Sequence, residues 1–291
     1  MKPPAFEYHD PVELEPVLEL LRRYQSEAKI LAGGQSLLAL LNFRLTRPAA
    51  LIDINRITGL SYIKEKPGWL YLGATTRQRA IEFSPLVREK LPLLAEATRL
   101  IGHLPTRTRG TIGGSLAHSD PAAEYPVVLT ALDGELVARA ESGERVLKAG
   151  EFFQGLMTTA LAPDEMLVEV RLPAMPAGSG WAFEEFSRRH GDFAIVGVAA
   201  QLSVEGERCA SARLAAAGVG PVPLRLESAE QALKQGGLNQ RTIAEAAARA
   251  AEQTQPTSDL HASAEYRRHL TRVLTERAIN RALERARGTR S

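Results

Sequence analysis

The sequence predicts an α+β protein with two lobes, the first opening with a β-α-β-α-β unit and the second made of antiparallel strands followed by helices. Three observations predict it. Apolar runs between Phe6 and Ile54 alternate strand and helix spacing in a β-α-β-α-β order. The stretch "LPAMPAGSG", Leu172 to Gly180, concentrates proline and glycine between two strand-rich regions and marks a lobe boundary. Beyond it come three long strand-like segments, and then only helical spacing.

Phe6 to His9 reads as a strand. Val12, Leu14, Val17, Leu18 and Leu21 mark one face of a helix from Pro11 to Ala28. Lys29 to Ala32 is the next strand, Gln35 to Phe43 a short helix, and "ALIDI", Ala50 to Ile54, a third strand. Such a unit presents its loops at the carboxyl ends of the strands, where open α/β layers bind ligands. It carries no G-x-G-x-x-G, so a Rossmann dinucleotide fold is not expected. A hairpin follows, "SYIKE" and "WLYLGA" across Lys66-Pro67-Gly68. Arg77 to Leu100 is helical with interruptions at Pro85 and Pro92. "ELVARA" and "RVLKA" pair across a Ser-Gly turn. In the second lobe "WAFEEFSRR", "FAIVGVAAQLSV" and "CASARLAAAGVG" are long antiparallel strands. Of the three helices after them, the last has Tyr266, Leu270, Val273, Leu274 and Ile279 as its expected buried stripe, with a solvated, frayed basic end at "RALERARGTR".

Composition excludes several classes of function. The 291 residues are 44% apolar, enough for real cores, and 36 basic against 34 acidic residues leave a net charge of +2, too little to argue for nucleic acid or an anionic membrane. A single cysteine, Cys209, makes no internal disulfide and cannot ligate an iron–sulfur cluster or a structural zinc. No apolar run approaches the roughly 20 residues of a membrane span, and "MKPPAFEYHD" has no signal core, so a cytoplasmic protein is expected.

Two glycine segments carry the chemistry. In "KILAGGQSLLALL" a strand runs into Ala32-Gly33-Gly34-Gln35-Ser36 and straight into a helix. Paired glycines allow positive φ and a close backbone approach, and the amides at a helix start suit a phosphate or pyrophosphate. A tight turn with no ligand is the competing reading. The second segment, Gly110-Thr111-Ile112-Gly113-Gly114-Ser115, repeats the pattern, and Ser119, Asp120 and Glu124 follow it. Two amide-rich turns suit a diphosphate better than one, while Asp120 before Pro121 also reads as a helix cap. His103, His118 and His190 lack a metal-ligand spacing, and surface or hydrogen-bonded roles are expected for them.

The pair "AGGQSL" and "TIGGSLAHSDPAAEYP", with "NFRLTRPAALIDINRI" between them and "RRHGDFAIVGVAA" beyond, resembles the FAD-binding medium subunit of molybdenum hydroxylases, the carbon monoxide dehydrogenase and xanthine dehydrogenase family. The resemblance spans essentially the whole chain in order. It implies a two-subdomain FAD-binding lobe of the vanillyl-alcohol oxidase (PCMH) type over residues 1–175, divided into 1–57 and 58–175, and a C-terminal lobe of antiparallel sheet and helices over 176–291. It further implies that Ala32, Gly33, Gly34, Gln35 and Ser36, flanked by Leu31 and Leu37, cradle the FAD pyrophosphate together with Thr111, Ile112, Gly113 and Gly114. Ser115 and Ser119 become secondary donors, and Glu124 matches an acidic position that holds flavin ribityl or ribose hydroxyls. Ile101 and Phe193 match positions near the isoalloxazine ring, and Leu161 and Met166 a segment at its pyrimidine or dimethylbenzene side. Relatives commonly have Asp where Glu124 stands, Tyr where Phe193 stands and Lys where Glu185 stands, so no hydroxyl role is carried to Phe193 and no flavin contact to Glu185.

The same resemblance implies a flavoprotein subunit that passes electrons from the 2Fe-2S clusters of a small partner to a terminal acceptor. A large partner would hold the molybdenum–pterin centre, and the assembly would be a dimer of heterotrimers. No residue of this chain then need be catalytic, and none need bind metal. The alternative is a self-sufficient FAD-dependent oxidoreductase acting on its own small substrate, which requires placed polar or ionisable groups against the flavin.

Overall fold

The computed structural model describes residues 2–288. The first subdomain holds β1 (Glu7–His9), α1 (Leu14–Tyr24), β2 (Ala28–Leu31), α2 (Leu37–Asn42) and β3 (Ala50–Asp53). The three strands form one parallel sheet in the order β1-β3-β2, so the last strand threads between the first two. Helix α1 turns Val17, Leu18 and Leu21 onto this sheet; Val12 precedes the helix and is exposed, which shortens the expected apolar stripe at that end.

The second subdomain opens with the hairpin β4 (Ile63–Lys66) and β5 (Trp69–Gly73). Helices α3 (Gln78–Phe83), α4 (Pro85–Lys90) and α5 (Pro92–Leu100) follow. Pro85 and Pro92 each start a helix, where the missing N–H costs nothing, and Ser84 caps α4 by accepting from the Val87 amide at 3.3 Å. Next come α6 (Leu104–Arg109), α7 (Ile112–His118), α8 (Glu124–Leu132), β6 (Glu135–Ala140), β7 (Gly143–Lys148), the short α9 (Ala149–Phe152), the small hairpin β8 (Phe153–Gly155) and β9 (Thr158–Thr159), and β10 (Met166–Pro173). Strand β10 returns to the middle of a five-stranded sheet, order β4-β5-β10-β6-β7, antiparallel to both of its neighbours.

The C-terminal lobe is a four-stranded antiparallel sheet of β11 (Gly180–Phe186), β12 (Val196–Glu205), β13 (Arg208–Ala217) and β14 (Leu224–Arg225). It is backed by α10 (Glu227–Gly236), α11 (Gln240–Gln253) and α12 (Ala264–Gly288). Both of its faces are covered. Val196, Val198, Ala200 and Leu202 pack with the three helices, whereas Phe183, Ala199, Ala215 and Ala217 join the core of the second subdomain. Burial on both sides explains why β12 is written as a continuous apolar run rather than an alternating one. On α12 the buried stripe is Leu270, Thr271, Leu274, Thr275, Ala278, Ile279, Ala282 and Ala286. Small residues serve there because the helix lies directly on β11: a Cβ added at Gly180 would overlap the Ala282 carbonyl. The expected stripe is corrected at two positions, since Tyr266 is exposed and Val273 only half-buried. The solvated, frayed end expected from Arg281 is corrected as far as Gly288, where the chain is helical and buries Ala282, Leu283 and Ala286; the rest of that stretch lies outside the described residues.

Candidate functional site

Both glycine segments meet at the carboxyl end of the parallel sheet. After β2 the chain turns at Gly34, whose φ of 72° is one that glycine adopts without strain. Gly33 has no such requirement; its need is space. A Cβ there would lie 2.5 Å from the Arg109 carbonyl oxygen and 2.8 Å from the Gly110 Cα, so the first turn packs backbone to backbone against the entry of the second. The backbone N–H groups of Gly33, Gly34, Gln35, Ser36 and Leu37 find no acceptor among the described residues, and Ser36 precedes α2 without using its hydroxyl as a cap. Five consecutive open amides on a half-buried turn form a concave donor surface that fits an anion.

The second segment is built differently from the expectation. It is the first turn of α7, with Thr111 as N-cap accepting from the Gly114 amide at 3.1 Å. The Ile112 amide donates to Thr76 O at 3.1 Å, Gly113 to Ala74 O at 2.9 Å and Ser115 to Thr111 O at 3.2 Å. These amides are engaged within the chain, so the glycines here serve close packing. A Cβ on Gly113 would meet Ala74 O at 2.6 Å, and one on Gly114 would meet the capping Thr111 Oγ1 at 2.7 Å, with the Ala32 Cβ of the first turn 3.8 Å away. Ser119 ends α7 in the left-handed region with φ 54° and is buried. Asp120 caps the turn that follows, accepting from the Ala122 amide at 2.8 Å, while Ala123 occupies the N-cap position of α8.

Two further turns close the far end. Gly191, at φ 86°, lets the segment before Phe193 lie against His103, and the His103 and His190 rings stack with centroids 6.0 Å apart. The Ile101 and Phe193 segments are thereby brought together, Ile101 in the core and Phe193 exposed at its surface. Leu161 is half-buried against the same core. Met166 goes elsewhere. As the first inward position of β10 it packs with Val17, Leu18 and Val168 between the two subdomains, and its side chain has no open face toward the turns.

Glu124 and Glu185 approach one another from α8 and β11. Burial first, then the charge of Glu185 and after it that of Asp120, pushes the Glu124 carboxyl up to about 8. Burial pushes Glu185 up to about 7, and its Oε2 is enclosed without a hydrogen-bond partner. The enclosed Glu185 oxygen, close to the buried Glu124, leaves an acceptor that the described residues do not fill.

Asp53, Asn55 and Arg77 were not legible as site residues. Asn55 Nδ2 donates to Ala32 O at 2.7 Å and to Asp53 Oδ1 at 2.6 Å, and Arg77 Nη2 donates to Asn55 Oδ1 at 2.6 Å while Nη1 donates to Arg109 O. The one sequence signal was "DIN" at the carboxyl end of the central parallel strand, where open α/β layers place ligand residues.

The structure thus sets a turn of open amides where the two α/β subdomains meet, and on α8 and β11 two acids whose carboxyls burial holds above their ordinary range. The sequence profile described as the FAD binding domain in molybdopterin dehydrogenase matches residues 4–175, and that of the CO dehydrogenase flavoprotein C-terminal domain matches 181–282. The chain therefore belongs to the FAD-binding flavoprotein subunits of molybdopterin dehydrogenases. It is 44% identical to the 6-hydroxypseudooxynicotine dehydrogenase complex subunit alpha of Paenarthrobacter nicotinovorans, covering 100% of this chain and 98% of that one. It is 38% identical to the carbon monoxide dehydrogenase medium chain of Hydrogenophaga pseudoflava, over 97% and 98% of the two chains. A solved carbon monoxide dehydrogenase structure from the same organism superposes with a TM-score of 0.96 at 39% identity, covering 98% of this chain and 99% of that one. Among the described residues no group of side chains could hold a metal ion, and no helix is long and apolar enough to cross a membrane.

Proposed function

We propose that this chain is the FAD-carrying electron-transfer subunit of a heterotrimeric molybdenum hydroxylase. In this assignment it takes electrons from the iron–sulfur clusters of a small partner, while a large partner works at a molybdenum–pterin centre. The observation that carries the reading is the row of open amides from Gly33 to Leu37, set against α7 in a chain that matches FAD subunits end to end. The amides, with the Ser36 hydroxyl, hold the pyrophosphate; Thr111 and Gly114 shape its second wall, with Ser115 and Ser119 beyond them. Glu124 faces the sugar or ribityl hydroxyls. Ile101, Leu161 and Phe193 line the aromatic end. FAD bound there stores two electrons and releases them singly or as a pair. The protein's own work is to bind, orient and partly enclose the cofactor.

Leu38, Phe43 and Leu45 stand exposed on and just after α2, next to the open amides, and this apolar surface supports a partner docking near the cofactor. The division at residue 175, a cytoplasmic location and a dimer of heterotrimers belong to the same reading. Purification from the native host, with an absorption spectrum and subunit identification on one sample, tests it. Flavin and iron–sulfur bands with two co-purifying chains are expected. A lone yellow protein that turns over a small substrate would overturn it in favour of an independent oxidoreductase.

A further inference from the structure

A polar chain crosses the boundary between the two α/β subdomains directly beneath the cradle. Tyr8 Oη on β1 donates to Asp53 Oδ2 at 2.8 Å, and the other oxygen, Oδ1, accepts from the Asn55 backbone N–H at 2.8 Å and from Asn55 Nδ2 at 2.6 Å. Asn55 Nδ2 also donates to the carbonyl of Ala32, the first residue of the open turn, at 2.7 Å. Its Oδ1 accepts from Arg77 Nη2 at 2.6 Å, and Arg77 Nη1 reaches the carbonyl of Arg109, the same oxygen that crowds Gly33. Arg77 stands just before α3 in the second subdomain, and its backbone bridges to Thr111.

We propose that Arg77, acting through Asn55, is a positioning residue that sets the distance between the two turns and so fits the cradle to a diphosphate. The inference rests on the FAD-subunit reading. Three features carry it. The guanidinium spends both terminal nitrogens on chain acceptors, one on each side of the subdomain boundary, so its role is geometric. The two acceptors lead to the two turns themselves: Ala32 O through Asn55, and Arg109 O directly. The fork is also required, because an ammonium is a single point on a flexible stem and cannot hold two acceptors in a fixed plane. Burial, and after it the charge of Arg109, lowers the Arg77 guanidinium from its ordinary range, with Asp53 opposing. A half-buried cation kept beside another cation is costly unless the bonds it makes are worth the placement.

The test uses the full chain stripped of flavin and titrated with FAD, with ADP, which carries the diphosphate, and with riboflavin, which does not. Arg77→Met and Arg77→Lys remove the tie with and without the charge. Asn55→Asp keeps a partner for Arg77 but replaces the amide donor to Ala32 O, which separates the tie from any general loss of folding. Losing hydrogen bonds to a charged group is worth about ten- to a hundredfold in affinity. Dissociation constants for FAD and ADP are expected to rise by that factor in all three variants, Arg77→Lys included, with riboflavin binding and the melting temperature of the flavin-free chain close to the parent's. Equal losses for ADP and riboflavin would overturn the inference, as would full rescue by Arg77→Lys or unchanged FAD affinity in a folded Arg77→Met. A parent chain that binds neither FAD nor ADP would instead overturn the cofactor assignment.

Discussion

Glu124→Gln keeps the shape of a buried side chain and removes its titration. In the folded chain the Glu124 carboxyl holds its proton up to about pH 8, against 4.5 for an ordinary glutamate. Between those values the folded chain binds a proton that the unfolded chain has released, so stability falls as pH rises through the window and levels off above it. Each pH unit costs about 1.4 kcal/mol, and the whole window roughly 5 kcal/mol. The charges of Glu185 and Asp120 both contribute to this rise, so the contributions of the three acids are not additive. Gln at this position carries no charge and so relieves the repulsion from Glu185. The parent is expected to lose about 3–4 kcal/mol of stability more than Glu124→Gln between about pH 5 and pH 8. At about 2–4 °C per kcal/mol, the melting temperatures diverge by on the order of 10 °C across that range. Thermal melts of the flavin-free parent and variant at constant ionic strength measure it. Parallel melting curves at every pH would refute the idea that Glu124 holds its proton by burial.

Gly33→Ala places a methyl 2.5 Å from the Arg109 carbonyl oxygen, so the two turns must part; overpacking of this kind costs about 1–3 kcal/mol, and an FAD dissociation constant raised by about ten- to a hundredfold is expected in a fluorescence titration. Gly180→Ala drives a methyl into the Ala282 carbonyl and tests the other lobe: α12 must lift from β11, lowering the melting temperature while the affinity of whatever folded protein remains for FAD stays at the parent value.

What could be read in the sequence is what residue type states locally. Gly33 and Gly34 announce a backbone that must turn and come close, and the structure gives them those two needs separately, φ at Gly34 and space at Gly33. Pro85 and Pro92 announce helix starts. Where the identity of a residue leaves its partner open, the reading ran out. The glycines of α7 read as a second set of donors because nothing local reveals that the Ala74 carbonyl takes the Gly113 amide and the Thr111 hydroxyl the Gly114 amide. Strand β10 went unread although it lies between β5 and β6, because its neighbours are about a hundred and about thirty residues earlier in the chain, and a sheet assembled late carries no nearby turn signal. Arg77 gave no signal at all: one arginine in a short connection, whose acceptors belong to residues 22 and 32 positions away.

These particulars locate where the chain's constraints concentrate. The donor surface consists of main-chain amides, which only proline removes, so other substitutions act on it through spacing: the missing Cβ at Gly33 and the Asp53-Asn55-Arg77 tie between subdomains. The acids on α8 and β11 follow the opposite logic. There the groups are side chains, Glu124 and Glu185, whose burial leaves one Glu185 oxygen without a partner and holds both carboxyls above their ordinary range. Backbone donors keep their charge state at every pH, whereas an acid pair does not. Retention of the diphosphate is therefore expected to follow geometry, and the pH response of the holoprotein to follow the acid pair, so that variants at Arg77 shift affinity at all pH values and variants at Glu124 shift its slope with pH.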